Sequence, residues 1–221
     1  VTTTTSESDD PPRLDEAVAT LCPPILLASR SPRRRELLAA AGVPHVAAAP
    51  VFDDSTLTPG DIGSPSHWVT SLAYLKAWSQ ACSHPEAPLV LGSDTACVLD
   101  GRLIGTPADA LEAEGMIRAF MDRRHEVVTG VAIIDRRGGV PRRHLFADAA
   151  TVHMGRLCEE ELAAYLATGA WQGKAGGYNL MDRVRAGWPL TWQGDPTTIM
   201  GLPMNRLIGR LNTLIRDTPR A

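Results

Sequence analysis

An α/β fold built on a mixed sheet is predicted by three features of the sequence. Apolar runs of strand length alternate with segments of helical period. The first such pair, Ile25-Leu26-Leu27-Ala28 followed by a helix from Pro32 to Ala41, carries its own start and stop residues. Farther along, Asp100-Gly101 is a strong hairpin turn, and Val127 to Ile134 and Leu145 to Val152 read as strands around an Arg-Gly-Gly-Val-Pro turn. Hairpins of this kind exclude a purely parallel sheet.

Residues 1–24 are rich in Thr, Ser, Asp, Glu and Pro and read as a flexible acidic leader outside the core. Residues 25–217 then form a single domain, and 218–221 a ragged end. Ser31 can cap the first helix, Pro32 suits its first position, and Gly42 suits its end. Val43 to Phe52 offers a second strand shortened by Pro44 and Pro50, and Asp53 to Ser64 has loop chemistry. After Pro65, Trp68, Leu72 and Leu75 fall at helical spacing, with Lys76 beside that face. Leu89-Val90-Leu91 is a strand leading into Gly92-Ser93-Asp94-Thr95, and Ala96 to Leu99 continues it. Pro107 opens a helix carrying Leu111, Ile117 and Phe120. Glu159 to Thr168 is a helix stopped at Gly169. Trp171 to Met200, rich in Gly and Trp, reads mostly as loop, and a last helix spans Pro203 to Ile215.

A chain of 221 residues with 44% apolar and 21% charged residues has the composition of a soluble globular domain. Its net charge of −3 gives no chain-wide attraction to nucleic acid or anionic membrane, so no partner of either kind is expected. The cysteines Cys22, Cys82, Cys97 and Cys158 form no CxxC pair, which argues against a disulfide framework or zinc site and fits a reducing, cytoplasmic setting. No apolar segment has membrane-spanning length.

The densest chemistry lies in Ser29-Arg30-Ser31-Pro32-Arg33-Arg34-Arg35-Glu36. Hydroxyls and consecutive guanidinium groups stand at a helix start, where free N–H groups and the dipole favour an anion. Solvated arginines beside an ordinary Ser-Pro helix start explain the same residues. Asp94 ends an apolar strand, where a rigid element can hold a carboxylate against a ligand; a turn-capping role is the alternative. Lys76 reads equally as a solvated helix lysine. Lys174, in Gly173-Lys174-Ala175-Gly176-Gly177-Tyr178, sits on a loop whose glycines permit close approach.

Ser29-x-Ser31-Pro32-Arg33-Arg34 followed by Glu36-Leu37-Leu38 resembles the opening signature of the Maf (septum-formation-like) family of nucleoside triphosphate pyrophosphatases. Ser93-Asp94-Thr95 with its hairpin, His125-x-Val127-x-Thr129-Gly130, Lys174-Ala175-Gly176-x-Tyr178 and Gly201-Leu202-Pro203 extend the resemblance almost to the C-terminus. The resemblance implies a Maf/ITPase-like sheet flanked by helices, with two lobes around a central cleft. It implies hydrolysis of a nucleoside triphosphate to the monophosphate and pyrophosphate, a Mg²⁺ or Mn²⁺ cofactor, and a homodimer. Ser29, Ser31, Arg33 and Arg34 would hold phosphates, with Thr106 and Tyr178 also facing substrate. Lys76 and Lys174 would neutralise charge, and Asp54 and Asp94 would bind the metal, Asp94 also acting on the attacking water.

Two departures matter. Thr106-Pro107 stands where relatives carry Lys-Pro, which removes a positive charge. Met181 stands where the pyrimidine-preferring branch carries a Gln, whereas the Gly194-Asp195-Pro196 lead-in is closer to the branch acting on methylated guanosine triphosphate. The base therefore stays unassigned. A catalytically impaired nucleotide-binding or regulatory protein is the main alternative, and an RNA-binding module using the arginine run is a third, opposed by the acidic balance.

Overall fold

The computed structural model describes residues 12–52, 57 and 63–217. Within them run β1 (Ile25–Ala28), β2 (His45–Ala48), β3 (Leu89–Leu99), β4 (Arg102–Ile104), β5 (Arg123–Asp135), β6 (Arg142–Met154) and β7 (Leu190–Gln193). The helices are α1 (Glu16–Ala19), α2 (Pro32–Ala40), α3 (Pro65–Ser83), α4 (Ala110–Phe120), α5 (Glu159–Ala167), α6 (Leu180–Arg185), α7 (Pro196–Ile199) and α8 (Met204–Arg216). The sheet order is β2-β1-β3-β5-β6-β7, with β4 paired to β3. β1 runs parallel to β2 and β3, whereas β3, β5, β6 and β7 are antiparallel neighbours. The predicted mixed sheet is what forms, and the reason is local. Each residue of β1 is buried, as a parallel strand covered on both faces requires. Asp100 (φ 49°) and Gly101 (φ 75°) form the left-handed turn that returns β4 on β3.

Alternate residues of β1 feed two cores. Ile25 and Leu27 pack with Leu38 of α2 and with Leu207 and Leu211 of α8. Leu26 faces the other way, with Val90, Ala132 and Ile134, against Ala73 and Ala77 of α3. A third cluster gathers the far ends of β3, β5 and β6 with α4, α5 and α6, around Ile117, Phe120, Val152, Leu162, Trp171 and Trp188. This cluster is a second lobe carried on the same long strands.

Several expected boundaries shift. Within the stretch read as an acidic leader, Leu14, Val18 and Cys22 are buried in one cluster with residues of β1 and α8. The spacing of four residues between these apolar side chains turns one short helix inward. Residues 1–11 and 218–221 lie outside the described residues. The second strand is confined to His45–Ala48, short of both prolines. Helix α4 starts at Ala110 because Asp109, not Pro107, caps it, accepting from Glu112 N–H. Leu111 is 78% exposed, and the buried stripe of α4 is Ala113, Ile117 and Phe120. The stretch from Trp171 to Met200 holds α6, β7 and α7 instead of mere loop. Trp78 of α3 is exposed and stacks on Tyr74, ring centroids 6.0 Å apart.

Helix α3 lies unusually close to the sheet. A Cβ at Gly92 would stand 2.2 Å from Ala73 O, and one at Gly130 would stand 2.4 Å from Val69 C. Both positions must lack a side chain for the helix to sit where it does. The face of α3 turned to the sheet is accordingly Val69, Leu72, Ala73, Ala77 and Ala81, while Trp68 and Leu75 are half-buried beside it.

Candidate active site

The turn after β1, the middle of β3, one side of α3, the segment 172–182 and the turn 199–201 meet in a cleft. Its outer cavity, about 1000 Å³, is lined by Ser29, Arg30, Ser31, Arg33, Lys76 and Lys174, with Pro50, Val51 and Phe52 as an apolar wall. An inner chamber of about 360 Å³ shares Ser31, Arg33, Arg34, Lys76 and Lys174 and adds Asp94, Thr95, Cys97, Thr106 and Tyr178. Every described site residue named from sequence thus lines one or both. Asp54 lies outside the described residues.

Asp94 sits mid-strand, paired to Gly130 of β5. The close seat of α3 brings Lys76 Nζ to 2.6 Å from Asp94 Oδ1, with both side chains largely buried. A carboxylate of the inner chamber and an ammonium shared by both cavities are thereby fixed by rigid elements.

Arg33 and Arg34 have different situations. Four of the five N–H groups of Arg34 are engaged by protein: Nε donates to Gly201 O (2.8 Å), Nη1 to Ser93 O (2.9 Å) and Ser29 Oγ (3.2 Å), and Nη2 to Thr95 Oγ1 (3.1 Å). Burial works against its charge, and Asp94 favours it. Gly201, at φ 99° and with Arg34 Nε only 3.1 Å from where a Cβ would stand, lets the turn come this near. Arg33 and Arg34 both line the two cavities, but Arg34 spends its donors clamping three segments together. Ser29 is likewise buried and engaged, accepting from Ser31 N–H at 3.1 Å as well as from Arg34. Ser31 occupies the N-cap position of α2, but its hydroxyl makes no capping bond; Ser29 takes the local backbone donor instead.

Behind Arg34 runs a chain of hydroxyls. Thr129 Oγ1 donates to Thr198 O at 2.7 Å, so the 2.9 Å contact between Thr95 and Thr129 has Thr95 as donor. Thr198 in turn donates to Asp148 Oδ2 at 2.6 Å. Each hydroxyl proton has one assigned place, which is how such a network holds one conformation. Thr129 and Gly201, which the sequence motifs named without a role, acquire their part in the cleft here.

Lys174 Nζ donates to Ala170 O, and burial, then Arg33, lowers its pKa from the usual 10.5. Tyr178 is buried, with its phenol 2.7 Å from His125 Nε2. His125 stacks on Phe120 with centroids 4.1 Å apart, and burial holds it down to about 4. An unfolded chain would bind this proton near pH 6.5, so it takes up more protons than the native state across that interval. Stability is then expected to fall by about 3 kcal/mol as pH drops from about 6.5 to about 4. Denaturant titrations over that range check this, and a His125→Phe variant should lack most of the slope.

Thr106 is exposed at the chamber rim. Met181 packs against the core of the second lobe, whereas Asn179 and Asp182 line the outer cavity. Asn179 Oδ1 accepts from Met181 N–H at 3.0 Å, capping α6. Trp171 and Trp188 are buried lobe anchors, and Trp192 lies on β7.

A hard divalent cation needs one or two carboxylates, water and substrate phosphates. Among the described residues no three His, Cys, Asp or Glu side chains gather as a ligand set. Asp94 in the chamber fits a site completed by phosphate oxygens. No helix among the described residues is long and apolar enough to cross a membrane.

Comparison with known proteins identifies the family. The sequence model of the family described as Maf-like protein matches residues 24–214. A dTTP/UTP pyrophosphatase of Salinibacter ruber is 37% identical over 194 residues, 88% of this chain and 92% of the relative. Those of Symbiobacterium thermophilum and Hyphomonas neptunium are 38% and 39% identical, covering 85% and 82% of this chain and 92% and 90% of their own length. With the Ser29–Arg34 turn, the Asp94–Lys76 pair and the glycine-rich Lys174 loop around one cleft, the chain belongs to the Maf family of nucleoside triphosphate pyrophosphatases.

Proposed function

We propose that this protein hydrolyses a non-standard or modified nucleoside triphosphate at its α-phosphorus, releasing the monophosphate and pyrophosphate in the cytoplasm. The observation that carries this is the Asp94–Lys76 pair, with Asp94 in a chamber large enough for part of a nucleotide and Lys76 shared between that chamber and a cation-lined outer cavity. Water attacks phosphorus as the bond to the bridging oxygen breaks, and Asp94 orients that water and accepts its proton. Arg33 and Lys174 hold the departing pyrophosphate and offset its growing charge, while Lys76, 2.6 Å from Asp94 Oδ1, holds that carboxylate in place. Ser31 and the start of α2 add neutral donors. Arg34 and Ser29 act from behind, holding the phosphate-facing turn on β3 and Gly201. A divalent cation, Mg²⁺ or Mn²⁺, bound by Asp94 and Asp54 would supply charge neutralisation and a more acidic water.

Pyrophosphate release from a panel of standard, methylated and deaminated triphosphates, with Mg²⁺, Mn²⁺ or chelator, tests this. Metal-dependent release from the modified members supports it; release from none of them defeats it. The absent charge at Thr106 favours a second reading, a protein that binds nucleotide without turnover, which bound but uncleaved substrate would establish. Thr106→Lys is expected to raise kcat/KM about ten- to a hundredfold by adding a charge-assisted bond of roughly 1.5–3 kcal/mol. Unchanged kinetics would mean that the present cations already suffice. The same family reading carries a homodimer, to be checked by sedimentation.

A further inference from the structure

His125 has no part in the chemistry above, although it is buried and its Nδ1 has no hydrogen-bond partner among the described residues. Its Nε2 lies 2.7 Å from Tyr178 Oη. One ring nitrogen must carry the proton of the neutral imidazole. A proton on Nδ1 would be a buried donor with no acceptor, whereas a bare lone pair there costs less. The proton then belongs on Nε2, pointing at the phenol oxygen. Tyr178 cannot also donate along that line, so its own proton must turn elsewhere.

We infer that His125, as the Nε2–H tautomer, donates to Tyr178 Oη and thereby directs the phenolic O–H into the inner chamber, to donate to an acceptor oxygen of the nucleotide. This rests on the chamber receiving the nucleotide, as proposed above. The supporting geometry is tight. Phe120 stacks on the imidazole, and Gly176, at φ 69°, leaves no room for a Cβ, which would stand 2.8 Å from Cys97 Sγ and 2.9 Å from Phe120 Cε2. Tyr165 O–H donates to Gly177 O at 2.9 Å, fixing the backbone next to Tyr178. Tyr178 shares the chamber lining with apolar Val127, Leu180, Ile199 and Met200, which offer a ligand oxygen no side-chain donor of their own. His125 is a positioning residue, and Tyr178 is the group that touches substrate.

The tautomer is read directly from the ring ¹⁵N NMR signals of the intact protein, independently of any activity. Protonation at Nε2 is expected, and protonation at Nδ1 would overturn the inference. His125→Phe keeps the ring stack and removes the donor, and Tyr178→Phe removes the hydroxyl. Each should weaken ligand binding about fivefold, and the double variant should be no worse than either alone. Pyrophosphate and a free nucleoside, titrated separately, tell whether the acceptor is a phosphoryl or a base carbonyl oxygen. Weakening of either supports the inference; additive losses, or no weakening of both, sink it. Should His125→Phe not fold, the NMR assignment and Tyr178→Phe still decide.

Discussion

Replacing Asp94 with Asn is expected to lower kcat about 10³-fold while leaving the fold and nucleotide affinity largely intact. The substitution keeps the shape of a side chain whose backbone is fixed by pairing with Gly130. It removes the proton acceptor and the charge facing Lys76 at 2.6 Å. Steady-state kinetics paired with calorimetric binding separate the two effects. A variant that turns over like the parent would take Asp94 out of the chemistry. A variant that no longer binds nucleotide would assign it to ground-state charge balance instead.

The largest effect on stability is expected from Gly92→Ala. The added methyl would stand 2.2 Å from Ala73 O and 2.9 Å from Ala77 N, both backbone atoms of α3 that no rotamer change can move. Overpacking against side chains costs about 1–3 kcal/mol, and a clash with backbone belongs at or above the top of that range. A loss of at least about 3 kcal/mol should lower the melting temperature by roughly 6–12 °C in a chain of this size. Activity should fall further than stability alone predicts, because displacing α3 draws Lys76 away from Asp94. Thermal scans and kinetics taken well below the transition measure the two losses separately. An unshifted melting temperature would mean that α3 has room to retreat.

These two cases also mark what was legible in the sequence. The turn at Ser29–Arg34, the Asp100-Gly101 hairpin and the mixed sheet could be read because each rests on local chemistry. The sheet-facing side of α3 could not be read by counting large apolar residues. Its contact is made by Ala73 and Ala77 against glycines, and small residues give little periodic signal. The roles of Arg33 and Arg34 could not be told apart either, since a guanidinium serves a phosphate or a backbone carbonyl with the same donors. Only the fold shows that Gly201 O, over a hundred and sixty positions away, lies within 2.8 Å of Arg34 Nε. Leu14, Val18 and Cys22 were hidden by the acidic composition around them, although their spacing was helical.

The long strands bear on how the cleft can move. Pairing of β3 with β5 runs unbroken from Leu89–Asp135 to Val98–Glu126, and Asp94 lies near its midpoint. No linker joins the two walls; they are two ends of the same hydrogen-bonded ribbon. Narrowing the cleft around a nucleotide must therefore bend continuous strands, an elastic deformation opposed everywhere along the ladder, and not swing one body about a pivot. Such a site keeps its carboxylate nearly still while the walls adapt. Backbone amides at 93–96 should accordingly remain among the slowest to exchange with solvent in the whole chain, with or without ligand.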